Sequence, residues 1–105
     1  MTAAMLTKAL AELAMGWRAG KGRFLTGARE WITDSQFQPL SRIEDAFKLL
    51  RKVACEYSLT RTAEGISTAT VVVGRRAGVA SGESEPMTVA LALARALGLD
   101  VEEVD

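Results

Sequence analysis

The hydrophobic period of the chain changes at Cys55, and that change narrows the fold more than any other feature. Before it, Ile43, Ala46, Phe47, Leu49, Leu50, Val53 and Ala54 recur as one broad helical stripe, while Arg42, Glu44, Asp45, Lys48, Arg51 and Lys52 hold the other face. Ser41 and Glu44 match the S-x-x-E capping box, so a helix is expected over 42–54. After it, Tyr57, Leu59 and Arg61 alternate with Glu56, Ser58, Thr60 and Thr62, the two-residue period of a half-exposed strand. The β-branched run from Thr68 to Val73 makes a second strand, and Gly74-Arg75-Arg76 turns the chain into a third. Strands at 56–62, 67–73 and 76–82 have links too short for a crossover, so they must form an antiparallel meander.

A closing helix is expected over 85–97, with Glu85 and Pro86 in its first turn. Between Met87 and Leu97 only Thr88 and Arg95 are polar. A helix apolar nearly all round packs between the sheet and another helix, or gives a face to a second subunit. Gly98 and Leu99 read as a glycine stop, followed by an acidic tail over 99–105. At the other end, Leu6, Leu10, Leu13 and Trp17 recur at helical spacing beside Ala9 and Ala14, opposite Lys8 and Glu12. This predicts a helix over 3–15, capped by Thr2 and stopped by Gly16.

Residues 16–38 carry Gly16, Gly20, Gly22 and Gly27 and are expected to be irregular. Within them, the runs Arg23–Leu25 and Glu30–Ile32 suit a small hairpin. Four of the six aromatics, Trp17, Phe24, Trp31 and Phe37, lie in this segment and are expected to fold back over a core edge.

The reading that results is a single α+β domain spanning 1–105. Its order is helix, irregular segment, helix, three strands, helix, with a three-stranded antiparallel sheet packed by two or three helices and the second and third helices on one face. Tyr57, Leu59, Val71, Val73, Phe47, Leu50, Leu91 and Leu97 are expected in the core or near it, with Val72 half exposed.

Composition removes several functions. The chain has no His and one Cys, which excludes Ser-His-Asp and Cys-His triads, His-ligated zinc and a multi-Cys metal site. The stretch Gly16-Trp17-Arg18-Ala19-Gly20-Lys21-Gly22 fails the phosphate-loop spacing by one residue and lacks the Ser or Thr that would hold magnesium. Glu44 and Asp45 are adjacent on a helix and point apart, so they form no carboxylate dyad. Cys55 reads as a small hydrophobe, not a nucleophile. No catalytic residue, cofactor or metal is assigned, and the chain is not expected to be an enzyme. No apolar run reaches the ~18 residues of a membrane span. Lys8 and Glu12 interrupt the apolar start where a signal peptide would be uninterrupted. Together with an unpaired Cys55, this points to the cytoplasm.

Thirteen Lys and Arg balance thirteen Asp and Glu, yet residues 1–54 carry nine basic and five acidic side chains and residues 55–105 four and eight. Arg18, Lys21, Arg23 and Arg29 are candidate phosphate contacts, with Trp17, Phe24 or Trp31 available to stack on bases. Arg75 and Arg76 on the hairpin tip are a further anion candidate. The functional expectation is a non-enzymatic interaction module acting through a protein partner or its own copies. Nucleic-acid binding through 18–29 and Arg75/Arg76 is the alternative.

The chain resembles small phage and prophage proteins of the phage ABA sandwich domain family, whose function is undefined. The points of similarity are Met15-Gly16-Trp17, Trp31, then Phe37-x-Pro39-x-Ser41-x-Ile43-x-x-Ala46-Phe47, and finally Ala90-Leu91-Ala92 with Arg95-Ala96-Leu97. The family more often has Trp at the place of Phe47 and Cys in the last helix. The resemblance implies helices on an antiparallel sheet, a prophage origin and no catalytic residue. Residues 41–98 also resemble a double-stranded-RNA-binding domain, in topology alone. That domain opens its last helix with lysines, whereas here Glu83 and Glu85 stand at the corresponding place.

Overall fold

The computed structural model describes residues 1–53 and 55–104. Ala54, expected in a helical stripe, and Asp105 of the acidic tail lie outside the described residues. The elements run α1 (Ala3–Leu13), β1 (Arg18–Gly20), β2 (Arg23–Leu25), β3 (Trp31–Thr33), a 3-10 turn (Asp34–Gln36), α2 (Ile43–Val53), β4 (Glu56–Arg61), β5 (Ser67–Val73), β6 (Arg76–Gly82) and α3 (Glu85–Ala96). Among the described residues the protein is α+β, with three helices and two antiparallel three-stranded sheets, ordered β1-β2-β3 and β4-β5-β6.

The larger sheet alternates as its period requires. Ser67, Ala69 and Val71 of β5 are buried, with Gly78 and Ala80 of β6 alongside. Val71 pairs with Tyr57 and Gly78, and Ala69 with Leu59 and Ala80, so these residues share the face toward the helices. Thr68, Thr70 and Val72 point the other way, and Thr68 bonds Ser81 across the strands at 2.9 Å. Tyr57 departs from expectation: it is 52% exposed and stands outside the core and the residues packed against it. It stands on the correct face, but that face overhangs at β4, and only the ring of Phe47, 5.9 Å away, lies against it among the aromatics.

α3 lies directly on β5 and β6, and α2 packs on α3, so the nearly all-apolar α3 is consumed by the core. Close approach is set by Gly78. A Cβ there would run into the Ala92 carbonyl oxygen, and would stand 2.5 Å from the Ala96 nitrogen and 3.0 Å from the Arg95 Cβ. Alanines at 90, 92, 94 and 96, all buried, let the helix backbone sit this near the strand. Ser84 caps α3 by accepting from Met87 N–H at 3.4 Å, and Thr88 returns its hydroxyl to the Ser84 carbonyl at 2.7 Å. Gly98 stops the helix at φ +92°, with Leu99 N–H donating to Ala94 and Gly98 N–H to Arg95. These paired returning bonds satisfy two carbonyls that the helix end would otherwise strand.

Arg95 then ties three segments together. Its Nε donates to the Val101 carbonyl (2.9 Å), Nη2 to the Glu102 carbonyl (3.1 Å) and Nη1 to the Val79 carbonyl (2.6 Å). The tail is therefore fastened to α3 and β6, with Val101 buried.

Two expectations at α2 change. The Ser41–Glu44 box does not form; the Ser41 hydroxyl donates to Gln38 Oε1 at 3.2 Å instead. Asp45 is buried, not on the solvated face, because its carboxylate accepts the Gln38 N–H at 2.9 Å and lies 3.5 Å from Lys48 Nζ. Asp45 also stands in the first turn of α2, where the partial positive charge of the helix start favours a carboxylate. α1 begins with Thr2 accepting from Met5 N–H at 3.1 Å and ends two residues short of expectation. Leu13 is exposed; Ala11, with Leu6 and Leu10, holds the buried line instead.

The segment 16–38 is not irregular. It folds as a complete small meander, in which β2 pairs with β3 (Phe24 opposite Ile32) and also with β1 (Phe24 opposite Ala19).

Candidate functional site

Three-residue strands leave little room for a period, so the small sheet shows its two faces only through pairing. Ala19, Phe24 and Ile32 share one face, which turns toward the core. Phe24 and Phe37 are buried and meet Trp17 edge-on or tilted, with ring centroids 4.9 to 6.1 Å apart. Edge-to-face contacts of this kind align the positive ring edge with a negative ring face.

The opposite face of this sheet carries Arg18, Gly20, Arg23, Leu25, Trp31 and Thr33. Arg18, Arg23 and Trp31 are exposed. Trp31 lies over Gly20, where an added Cβ would sit 3.1 Å from its ring, and the Arg23 guanidinium carbon is 4.0 Å from the ring centroid. Lys21 sits in the β1–β2 turn and Arg29 in the β2–β3 loop, both exposed. Of the six candidate cations, four therefore belong to this sheet and its loops. Arg75 and Arg76 do not join them. Arg75 lies in the β5–β6 turn and Arg76 opens β6, with its guanidinium against Gly98 at the far end of α3. Of the aromatics offered for stacking, Phe24 is buried and Trp17 half-buried, and Trp31 is the one left exposed.

On its core side the small sheet forms one wall of an apolar cleft of about 530 Å³. Ala4 and Thr7 of α1, Ala19 and Phe24 of the sheet, Leu40 and Met87 line it. This cleft was not legible in the sequence, because its walls come from four separate segments. The groups at its border that carry charge are Lys8 and Asp34, both exposed; Gln38 and Ser41, also there, are hydrogen-bonded to each other. Apolar walls with few polar groups suit an aliphatic or aromatic guest.

Cys55 is half-buried, and its thiol lies 3.5 Å from the Leu50 carbonyl oxygen. Burial pushes the thiol pKa up, which opposes thiolate formation. Among the described residues no group of three or more Cys, Asp or Glu is placed to hold a metal ion, and no helix is long and apolar enough to cross a membrane.

No family model matches the chain, and no curated protein matches it. Its fold does have a counterpart among solved structures, a phage protein from Bacillus cereus ATCC 14579. The two superpose with a TM-score of 0.82 over 97% of this chain and 93% of that one, at 16% sequence identity. The likeness of fold thus extends over nearly the whole of both chains.

Proposed function

We propose that this chain is a phage- or prophage-derived interaction module that works without catalysis, in the cytoplasm, by contact with a protein partner or with its own copies. Kinship of fold with a phage protein supports the origin, and the Met15-Gly16-Trp17 and Phe37-to-Phe47 residues support its placement in the phage ABA sandwich family. The observation that carries the reading is the apolar cleft between α1 and the small sheet. It offers burial for a partner's apolar side chain. Ala4 is exposed at this cleft and tests it. Ala4→Lys should abolish capture of a partner that the wild-type chain retains, with an unchanged NMR fingerprint of the core; equal capture by both proteins removes the cleft from the function.

The second reading, nucleic-acid binding, is favoured by one arrangement: Arg18, Arg23 and Trp31 share an exposed face, with Lys21 and Arg29 in the adjoining loops. An aromatic ring flanked by cations is a platform on which an unpaired base stacks while phosphates are neutralised. Titration with short single strands at two salt concentrations should then shift these residues, and the shifts should fade at high salt. Arg75 and Arg76, lying elsewhere, should stay unmoved. Unchanged spectra at low salt would eliminate this reading.

A further inference from the structure

The two edges of the larger sheet are treated differently. At β6, the Val79 carbonyl is taken up by the Arg95 guanidinium, and the fastened tail lies beside it. At β4, five of the six residues are exposed, Leu59 alone being half-buried. Charge stands only at its ends, as Glu56 and Arg61, and the stretch between them, Tyr57-Ser58-Leu59-Thr60, has no charge and no proline. An unprotected edge of this kind is a template for another strand.

The register says which backbone groups are free. Thr62 N–H donates to the Ile66 carbonyl at 2.9 Å, which makes that pair hydrogen-bonded. Alternation along an antiparallel ladder then turns the backbone groups of Thr60, Ser58 and Glu56 toward β5, and those of Tyr57, Leu59 and Arg61 outward.

We propose that this edge pairs antiparallel with the same edge of a second copy of the chain, with Leu59 on the two-fold axis, joining the two sheets into one. The proposal rests on the interaction-module reading and names its partner. With Leu59 opposite the partner's Leu59, each residue that points outward finds a counterpart that also points outward: Tyr57 meets the partner's Arg61, and Arg61 the partner's Tyr57. A two-fold normal to the sheet keeps both helix faces on the same side, so the exposed Tyr57 stands beside the partner's half-exposed Arg61, whose Nη1 donates to Ser67 Oγ at 3.0 Å and lies 3.8 Å from Glu85 within its own chain. Antiparallel approach also sets the acidic Glu56 end of one strand beside the basic Arg61 end of the other, whereas a parallel approach would set like beside like. Ser58 falls opposite the partner's Thr60 on the open face of the sheet.

Sedimentation equilibrium at up to about 100 µM, a range that reads micromolar dissociation constants, tests this. The wild-type chain should sediment at twice 11.3 kDa. Tyr57→Pro removes an outward N–H and no bond to β5, and should weaken the dimer at least about tenfold, or about 1.4 kcal/mol. Ser58→Lys with Thr60→Lys places like charges opposite each other and should do the same; Ser58→Lys with Thr60→Glu places opposite charges there and should restore the dimer. Since these two double variants differ only in the sign of one exposed side chain, loss of folding cannot produce the contrast. A monomeric wild-type chain overturns the proposal, as does a dimer indifferent to all three variants. Ala4→Lys should remain dimeric, so loss of partner capture in that variant reports on the cleft and not on this edge.

Discussion

Gly78 and Arg95 show how much of the architecture hangs on single side chains, one absent and one long. At Gly78 a methyl group would collide with the backbone of α3, which cannot give way as a flexible side chain can. Gly78→Ala should therefore lower the stability by about 2–3 kcal/mol, the usual scale of overpacking, seen as a lower urea midpoint. Arg95 presents a planar fork to three carbonyls on two segments. Arg95→Met keeps the stem and loses the donors, at about 2 kcal/mol for bonds from a charged group. Arg95→Lys should recover little of this, since one ammonium cannot reproduce the fork. Both residues lay in view in the sequence, yet neither revealed its role. A glycine in a strand signals a close approach without saying to what, and an arginine in an apolar helix names no acceptor.

At the scale of elements, the long periodic segments were legible and the short ones were not. α2, α3 and the strands of the larger sheet each run six residues or more, enough for a period to declare itself. β1 to β3 have three residues each, so only the β2–β3 half of their sheet was readable, as two apolar-aromatic runs. The same limit governed the candidate site. The cations were visible as a cluster in sequence, but their separation from Arg75 and Arg76 came from tertiary packing, and so did the cleft. Caps give a direct comparison of two similar motifs. Ser84 accepts from a backbone N–H, so Ser84→Ala should cost about 1 kcal/mol. Ser41, with Glu44 three residues on, fits the sequence pattern better than Ser84, which has Met87 there, but bonds only Gln38 at an exposed site. Ser41→Ala should cost no more than about 0.5 kcal/mol in the same thermal melts.

Across the whole molecule, the parts are joined with unequal strength. β5, β6 and α3 follow one another in sequence and share the tightest packing, while the small sheet rests on α1 and one cluster of three rings. Amide hydrogen exchange should resolve this as two levels. The slowest amides should be those of β5 and α3, opening only with global unfolding, and those of β1 to β3 should exchange faster through a partial opening. Phe37→Leu, which removes a ring common to two of the three aromatic contacts, should speed the second group and leave the first in place. Equal acceleration of both groups would mean that the molecule opens as one unit. The exposed Arg18–Arg23–Trp31 face and one wall of the cleft ride on the same small sheet, so each transient opening would dissolve both at once. Anything that binds either surface would slow exchange on that sheet first.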